Sequence, residues 1–339
     1  MNSFGRIFRV HIFGESHGEC VGITIDGCPA GLSLSADDFI TDIERRKGGN
    51  KGTTPRTEED IPQIKTGVFN GKTTGAPITI LFDNNNTRSS DYEKQRAIPR
   101  PGHADFVAHQ KSGGFEDYRG SGHYSGRLTV GLVAAGVVAK KILPPPPSPA
   151  GGGTGVFIIS EILEIGGEKN IEAGIQKAID AKDSIGGIIE CRVNGLPVGL
   201  GEPFFDSAES LISHAVFSIP AVRSIEFGTG AAAARMFGSE HNDAIIDGSG
   251  KTATNHAGGI VGGLTNGNEL VFRIAVKPTS STPKTQESLN RETNSLEKFS
   301  VKGRHDLCIA LRVPVILEAV TAIVLADLFM LDQKIPRVL

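Results

Sequence analysis

The chain has 339 residues, a formal net charge of −3, 39% hydrophobic and 22% charged side chains. That length buries a sizeable core, and that composition excludes a disordered polymer. The near-neutral charge excludes a general nucleic-acid binder, so affinity for anions must come from local clusters of Arg and His.

The chain opens MNSFGRIFRVHIFGE, without the long apolar core or cleavage site of a signal peptide, and the expected location is the cytoplasm. Residues 7–13 and 21–25 read as strands. Ser35-Ala-Asp-Asp38 caps a helix that runs to Lys47 and stops at Gly48-Gly49. A strand follows at 77–82. The helix at 129–143 is apolar on nearly every side and belongs inside the protein. The Pro/Gly segment 144–153 is a loop or linker to which no chemistry is attached. Next come a helix at 170–182, with Ile171, Ile175 and Ile179 four apart, and a strand at 188–193. Asp206-Ser-Ala-Glu209 opens another helix. In the strand at 269–277, Leu270, Phe272, Ile274 and Val276 alternate with Arg273 and Lys277. Val313–Leu331 is apolar but interrupted by Glu318 and Asp327, with Pro314 in its first turn. It reads as a buried helix and not a membrane span. Cys20, Cys28, Cys191 and Cys308 lack CxxC or metal-ligand spacing and read as reduced thiols.

Two pairs of segments echo each other in the same order. Ile25-Asp-Gly-Cys-Pro-Ala-Gly-Leu32 resembles Val193-Asn-Gly-Leu-Pro-Val-Gly-Leu200, and Gly71-Lys-Thr-Thr-Gly75 resembles Gly263-Leu-Thr-Asn-Gly267. The echo predicts a single domain of two similarly built halves, 1–143 and 155–339, packed through their apolar helices with a site between them. Chance similarity of turn sequences is the alternative.

Several motifs carry candidate chemistry. Gly14-Glu-Ser-His-Gly18 imitates the nucleophile elbow of serine hydrolases, but that elbow needs a helix straight after the serine, and a strand is predicted there. It reads better as a tight turn that places His17 at a strand end, or as a plain structural turn. Arg45-Arg46-Lys47 closes a helix, where cations suit the dipole. In Arg100-Pro-Gly-His103 and Arg119-Gly-Ser-Gly-His-Tyr-Ser-Gly-Arg127, Gly and Pro fix the backbone while Arg and His project, a pattern suited to phosphate and carboxylate. Each cluster alone reads as a solvated loop; together they point to an anion site. Residues 228–233 imitate the dinucleotide fingerprint GxGxxA, with Asp247 near the expected acidic position, yet the flanking βαβ pattern is missing and Arg223-Ser-Ile-Glu226 is a poor buried parallel strand. Gly248-Ser-Gly-Lys-Thr252 fails as a P-loop because Ile245 stands at its first glycine. Asn255-His-Ala-Gly-Gly-Ile-Val-Gly-Gly263 permits close approach, Lys277-Pro-Thr-Ser-Ser281 offers a cation and three hydroxyls, and Arg304-His-Asp306 sets a cation, a titratable ring and a carboxylate side by side.

Taken in order, GESHGxxVGITIDGxP, RPGHAD, GxxSGRxT, GSEHND, NHAGGIVGG, KPTSS and GRHDxC resemble the signature stretches of the chorismate synthase family, spanning roughly residues 5 to 325. The resemblance implies an α+β fold, with apolar helices sandwiched between antiparallel sheets, and a homotetramer. It implies conversion of 5-enolpyruvylshikimate 3-phosphate to chorismate and phosphate with reduced FMN and no net redox change, NADPH being a possible reductant. By the same resemblance, His17 would protonate or orient the flavin, His103 would protonate the departing phosphate, and Asp306 would accept a proton. Ser16, Arg45, Arg46, Arg127 and Arg304 would hold the substrate. FMN would lie against His123, Tyr124, Ser125, Ala221, Gly262, Lys277, Pro278, Thr279, Ser280, Ser281 and Arg304. Departures from the family pattern are His123-Tyr124-Ser125 for Arg-Ser-Ser, Lys51 as nearest substitute for an Arg, Pro220 for Asn, and Leu307 for Pro. Rival readings are an NAD(P)-dependent oxidoreductase and a phospholigand-binding protein.

Overall fold

A computed structural model of the chain describes residues 1–55, 58–86, 96–145, 155–301 and 305–339. Most of the Pro/Gly segment therefore lies outside the described residues. In chain order the first elements are β1 (Arg9–Gly14), β2 (Cys20–Asp26), α1 (Ile40–Arg46), β3 (Gln63–Ile64), β4 (Ile78–Asp83), α2 (Asp105–Ser112) and α3 (Thr129–Ile142). The later ones are β5 (Phe157–Ile165), α4 (Ile171–Ala181), β6 (Gly187–Asn194), α5 (Ala208–Val216), β7 (Val222–Phe227), β8 (Leu270–Val276) and α6 (Val313–Leu331).

The strands form two principal antiparallel sheets. The first runs β1-β2-β4-β3, with Ser3–Phe4 added beside β1, and the second runs β5-β6-β8-β7. The two orders are the same. The turns after β2 and β6 repeat down to the hydrogen bond. Thr73 donates its hydroxyl to Pro29 O at 2.6 Å and accepts from Leu32 N at 3.0 Å. Thr265 does the same with Pro197 O at 2.7 Å and Leu200 N at 2.9 Å. Both threonines are buried.

Helices fill the space between the sheets. α3 packs on β2 and β4, α6 packs on β5 and β6, and the two helices pack along each other, flanked by α1 and α5. This is the α+β sandwich expected of the family. Close approach of the central pair depends on Gly136, where an added Cβ would stand 2.3 Å from that of Ala319. α6 is long and apolar enough to cross a membrane by length and composition, yet it is enclosed here, and both charges that interrupt it are buried and paired. Glu318 accepts two bonds of 2.7 Å from Arg45, one of 3.2 Å from Lys140, and the Ser160 N–H at 3.0 Å. Asp327 accepts the backbone N–H groups of Arg6, Ile7 and Phe8 at 2.7–2.9 Å. Buried carboxylates persist only with such partners.

One local reading is corrected, and one is borne out. The helix α5 is capped by Ser207, which accepts from Ser210 N at 3.1 Å, while Asp206 instead pairs with Arg6. The segment around Arg223–Glu226 is an antiparallel edge strand, β7, which tolerates polar residues on an open face where a buried parallel strand does not.

Candidate active site

A cavity of about 660 Å³ is walled by connections from both sheets. Ser16 reaches it from the β1–β2 turn, Arg46 from the end of α1, and Ala221 from the residue before β7. Lys277 and Thr279 to Ser281 extend from β8, and Asp306 and Arg312 lie ahead of α6.

Three buried guanidiniums converge on it. Arg46 Nε donates to Thr129 Oγ1 at 3.0 Å, its Nη2 to the carbonyls of Gly126 and Arg127 at 3.1 Å, and its Nη1 to Asp60 at 3.3 Å. Arg127 donates to Asn84 at 3.0 Å, to the Asp83 carbonyl at 3.1 Å, and to the other oxygen of Asp60. Asp60, itself buried and held at φ 50°, thus bridges both arginines. Arg100 completes the set, clasping Asp105 through Nε and Nη2 at 2.7 Å and reaching Ser281 Oγ at 2.8 Å. Burial, reinforced by the charges of Arg312 and Arg127, pushes the Arg46 pKa down to about 9 although Asp60 pulls the other way. An anion entering the cavity would relieve that cost.

Titratable groups stand among these cations. His103 Nδ1 lies 2.7 Å from Asp105 Oδ1, and its Nε2 lies 3.4 Å from Ser121 Oγ. Asp306 accepts the Thr54 N–H at 2.9 Å and Arg312 Nη1 at 3.1 Å. Lys277 donates to Ser280 Oγ at 2.8 Å, and Ser280 donates to the Gly102 carbonyl at 2.7 Å. Burial lowers the Lys277 pKa. His123 Nδ1 is 2.9 Å from the Gly14 carbonyl. Thr279 Oγ1 is buried with no hydrogen-bond partner among the described residues.

The cavity thus gathers Ser16, Arg46, His103, His123, Tyr124, Ser125, Arg127, Ala221, Lys277, Thr279, Ser280, Ser281 and Asp306. It does not gather every residue expected. His17 is buried behind the wall, its ring against the backbone of Gly120, where a Cβ would come 2.3 Å from Cδ2. Arg45, one helical position from Arg46, turns to Glu318 instead. Pro278 is exposed beside the wall, and Gly262 sits at the turn of the Ile260–Val261 and Leu264–Thr265 hairpin. Lys51 donates to Gln176 at 3.1 Å and does not line the cavity. Arg304 lies outside the described residues. The dinucleotide imitation leads into a 3-10 helix, Gly230–Arg235, and not an α-helix.

The family model for chorismate synthase matches residues 8–330. The chain belongs to the chorismate synthase family. A chorismate synthase of Chitinophaga pinensis is 68% identical over 338 residues, covering 100% of this chain and 99% of that one. A chorismate synthase of Korarchaeum cryptofilum is 43% identical over 362 residues, covering 98% of each. A crystal structure of chorismate synthase superposes with a TM-score of 0.72 at 25% identity, covering 97% of this chain and 93% of that one. The chain is accordingly a lyase of the chorismate synthase family, whose reaction eliminates phosphate from 5-enolpyruvylshikimate 3-phosphate.

Sequence reasoning missed Asp60, Asp105 and Arg312 as members of the site, and gave Arg100 and Ser121 only as parts of anion-binding loops without a role of their own. Arg100 and Asp105 carried a signal, standing in the same RPGHAD stretch as His103. Asp60 and Arg312 are single residues without a local motif, and only the fold brings them to the cavity.

Proposed function

We propose that this cavity binds 5-enolpyruvylshikimate 3-phosphate beside reduced FMN and catalyses its 1,4-elimination to chorismate. The observation that carries the reading is the convergence of buried Arg46, Arg100 and Arg127 with His103 and Asp306 around one cavity. The substrate has two carboxylates and a phosphate, and guanidinium groups hold such anions through charge-assisted pairs. His103, which lines the cavity, gives a proton to the phosphate as its C–O bond breaks, the task of a positioned general acid. Asp306, whose orientation is fixed by Thr54 and Arg312, is the proton acceptor on the opposite side of the reaction.

The residues present fit the flavin. Lys277, Thr279, Ser280 and Ser281 supply a cation and hydroxyls, and the unpartnered Thr279 Oγ1 is the kind of buried group that a bound ligand satisfies. His123, Tyr124, Ser125 and Ala221 would hold the rest. When bound, reduced FMN would lend electron density to the substrate ring as phosphate departs, with no net redox change. His17, packed against Gly120, would protonate or orient the flavin without itself lining the cavity.

The protein is further read as a cytoplasmic homotetramer. Support for assembly lies in large apolar side chains left in solvent, Phe204 at 88% and Phe205 at 93% exposure. Light scattering coupled to size exclusion tests the oligomer.

The activity test is anaerobic phosphate release from 5-enolpyruvylshikimate 3-phosphate, with FMN added reduced, oxidised, or oxidised together with NADPH. Release in step with chorismate formation, and only with reduced flavin or with NADPH present, is expected. Well-folded protein that binds substrate but releases nothing would favour the phospholigand-binding reading. In the same assay His103→Ala should slow turnover about 100-fold or more while leaving substrate affinity nearly intact.

A further inference from the structure

A histidine that delivers a proton needs its ring held and its tautomer set, and the group that does this is two residues away. Asp105 opens α2, and its Oδ1 stands 2.7 Å from His103 Nδ1. The same carboxylate takes Arg100 Nη2 on Oδ1 at 2.7 Å, Arg100 Nε on Oδ2 at 2.7 Å, and the Arg100 backbone N–H at 3.1 Å. A left-handed turn at Gly102, φ 68°, brings Arg100 and His103 to this one carboxylate.

His103 Nδ1 also lies 3.1 Å from Arg100 Nη2, so Nδ1 either accepts from the guanidinium or donates to the carboxylate. The distances favour the second. The two hydrogens of Arg100 Nη2 have shorter contacts to Asp105 Oδ1 at 2.7 Å and to Ser121 Oγ at 2.9 Å, and the nearest charged neighbour of Nδ1 is the carboxylate at 2.7 Å. On that ground Nδ1 is assigned its own proton, directed to Asp105.

We propose that Asp105 is the positioning residue of the elimination: it fixes His103 as the Nδ1–H tautomer and leaves Nε2 as the atom that exchanges a proton with the leaving phosphate. The proposal rests on the reading of His103 as the acid. In the step, the Nε2–H bond of the imidazolium breaks, an O–H bond forms on phosphate, and a neutral ring remains with Nδ1–H on Asp105. No electrons enter or leave, and no further reactant is needed. Ser121 Oγ, in left-handed backbone at φ 70°, closes the cavity side of the network between Arg100 and Nε2.

Asp105→Asn keeps an oxygen acceptor and removes the charge. With holoenzyme and reduced FMN, kcat should fall about 10- to 100-fold, the range seen when a carboxylate behind a histidine is lost, with a smaller change in KM. Introduced into His103→Ala, the same change should cost no additional kcat. A full, multiplicative loss in the double variant would overturn the proposal, because Asp105 would then act through Arg100 or the fold. Nitrogen-15 spectra of labelled histidine, assigned by comparison with His103→Ala, should show Nδ1–H at His103 in the wild type. Finding Nε2–H there would also overturn the proposal, and this wild-type measurement stands even where Asp105→Asn fails to fold. If His103→Ala itself turns over normally, the reading of His103 as acid falls instead, and the spectra still decide the tautomer.

Discussion

Arg46 is 2% exposed, and what little it exposes faces a cavity and not bulk water. Replacing it would remove the charge-assisted contact to substrate proposed for it, and leaves Asp60 to Arg127 alone. Arg46→Ala should weaken substrate binding by about 10- to 100-fold, from the ~1.5–3 kcal/mol typical of hydrogen bonds to charged groups; titration calorimetry checks it. Arg45 looks equivalent in sequence, but successive helical residues point about 100° apart, and its partner Glu318 is 273 positions away. Sequence gives the pair of cations and not which one faces the ligand. Gly120 is equally silent as a letter. At φ 57° and against the His17 ring, Gly120→Ala should destabilise by more than about 1 kcal/mol, read by thermal unfolding. Burial raises the Asp105 pKa, but bonds from Arg100 and His103 more than offset that and hold it well below the usual carboxylate range. A depressed folded pKa contributes stability that is present above the unfolded value near ~3.9 and lost as pH falls through the folded one. The stability gap between wild type and Asp105→Asn should thus be constant from pH 7 to about 5 and shrink in stronger acid, as urea titrations would show.

At the level of elements, uniformly apolar runs announced α3 and α6 as interior helices, because no face of either is left polar. Glu318 and Asp327 looked like interruptions and are instead the points that set α6 against its neighbours. Glu318→Ala should cost about 1–3 kcal/mol, chiefly because it leaves the buried Ser160 N–H without an acceptor, while Arg45 and Lys140 keep Asp42; denaturant midpoints measure it. The strands β5 and β7 escaped notice for a physical reason. Both edge the second sheet, and both carry a register shift, between Ile162 and Glu164 and between Val222 and Ser224. One extra residue moves the inward-facing set by one position, which erases the alternation by which a strand is read.

Across the molecule, the repeated turn motif was visible because its glycines and prolines are fixed by geometry, whereas the pairing of sheets is written nowhere locally. Thr73 and Thr265 make equivalent buried bonds, so Thr73→Val and Thr265→Val should destabilise alike, by about 1–3 kcal/mol each, in parallel unfolding experiments. The two sheets are not independent bodies, however. The far end of α6 returns to the first sheet: Asp327 takes the N–H groups of Arg6, Ile7 and Phe8, and the segment beyond it pairs with Ala30 through Arg337 O and Leu339 N at 3.0 Å. During synthesis the start of the chain must therefore wait for a carboxylate that leaves the ribosome some 300 residues later, on the order of half a minute at ~10 residues per second. For that interval α3, which covers the first sheet, has no α6 packed along it, and the leading strand has no cap, so a nascent chain of this protein is a natural client for whatever shields apolar surface in the cell.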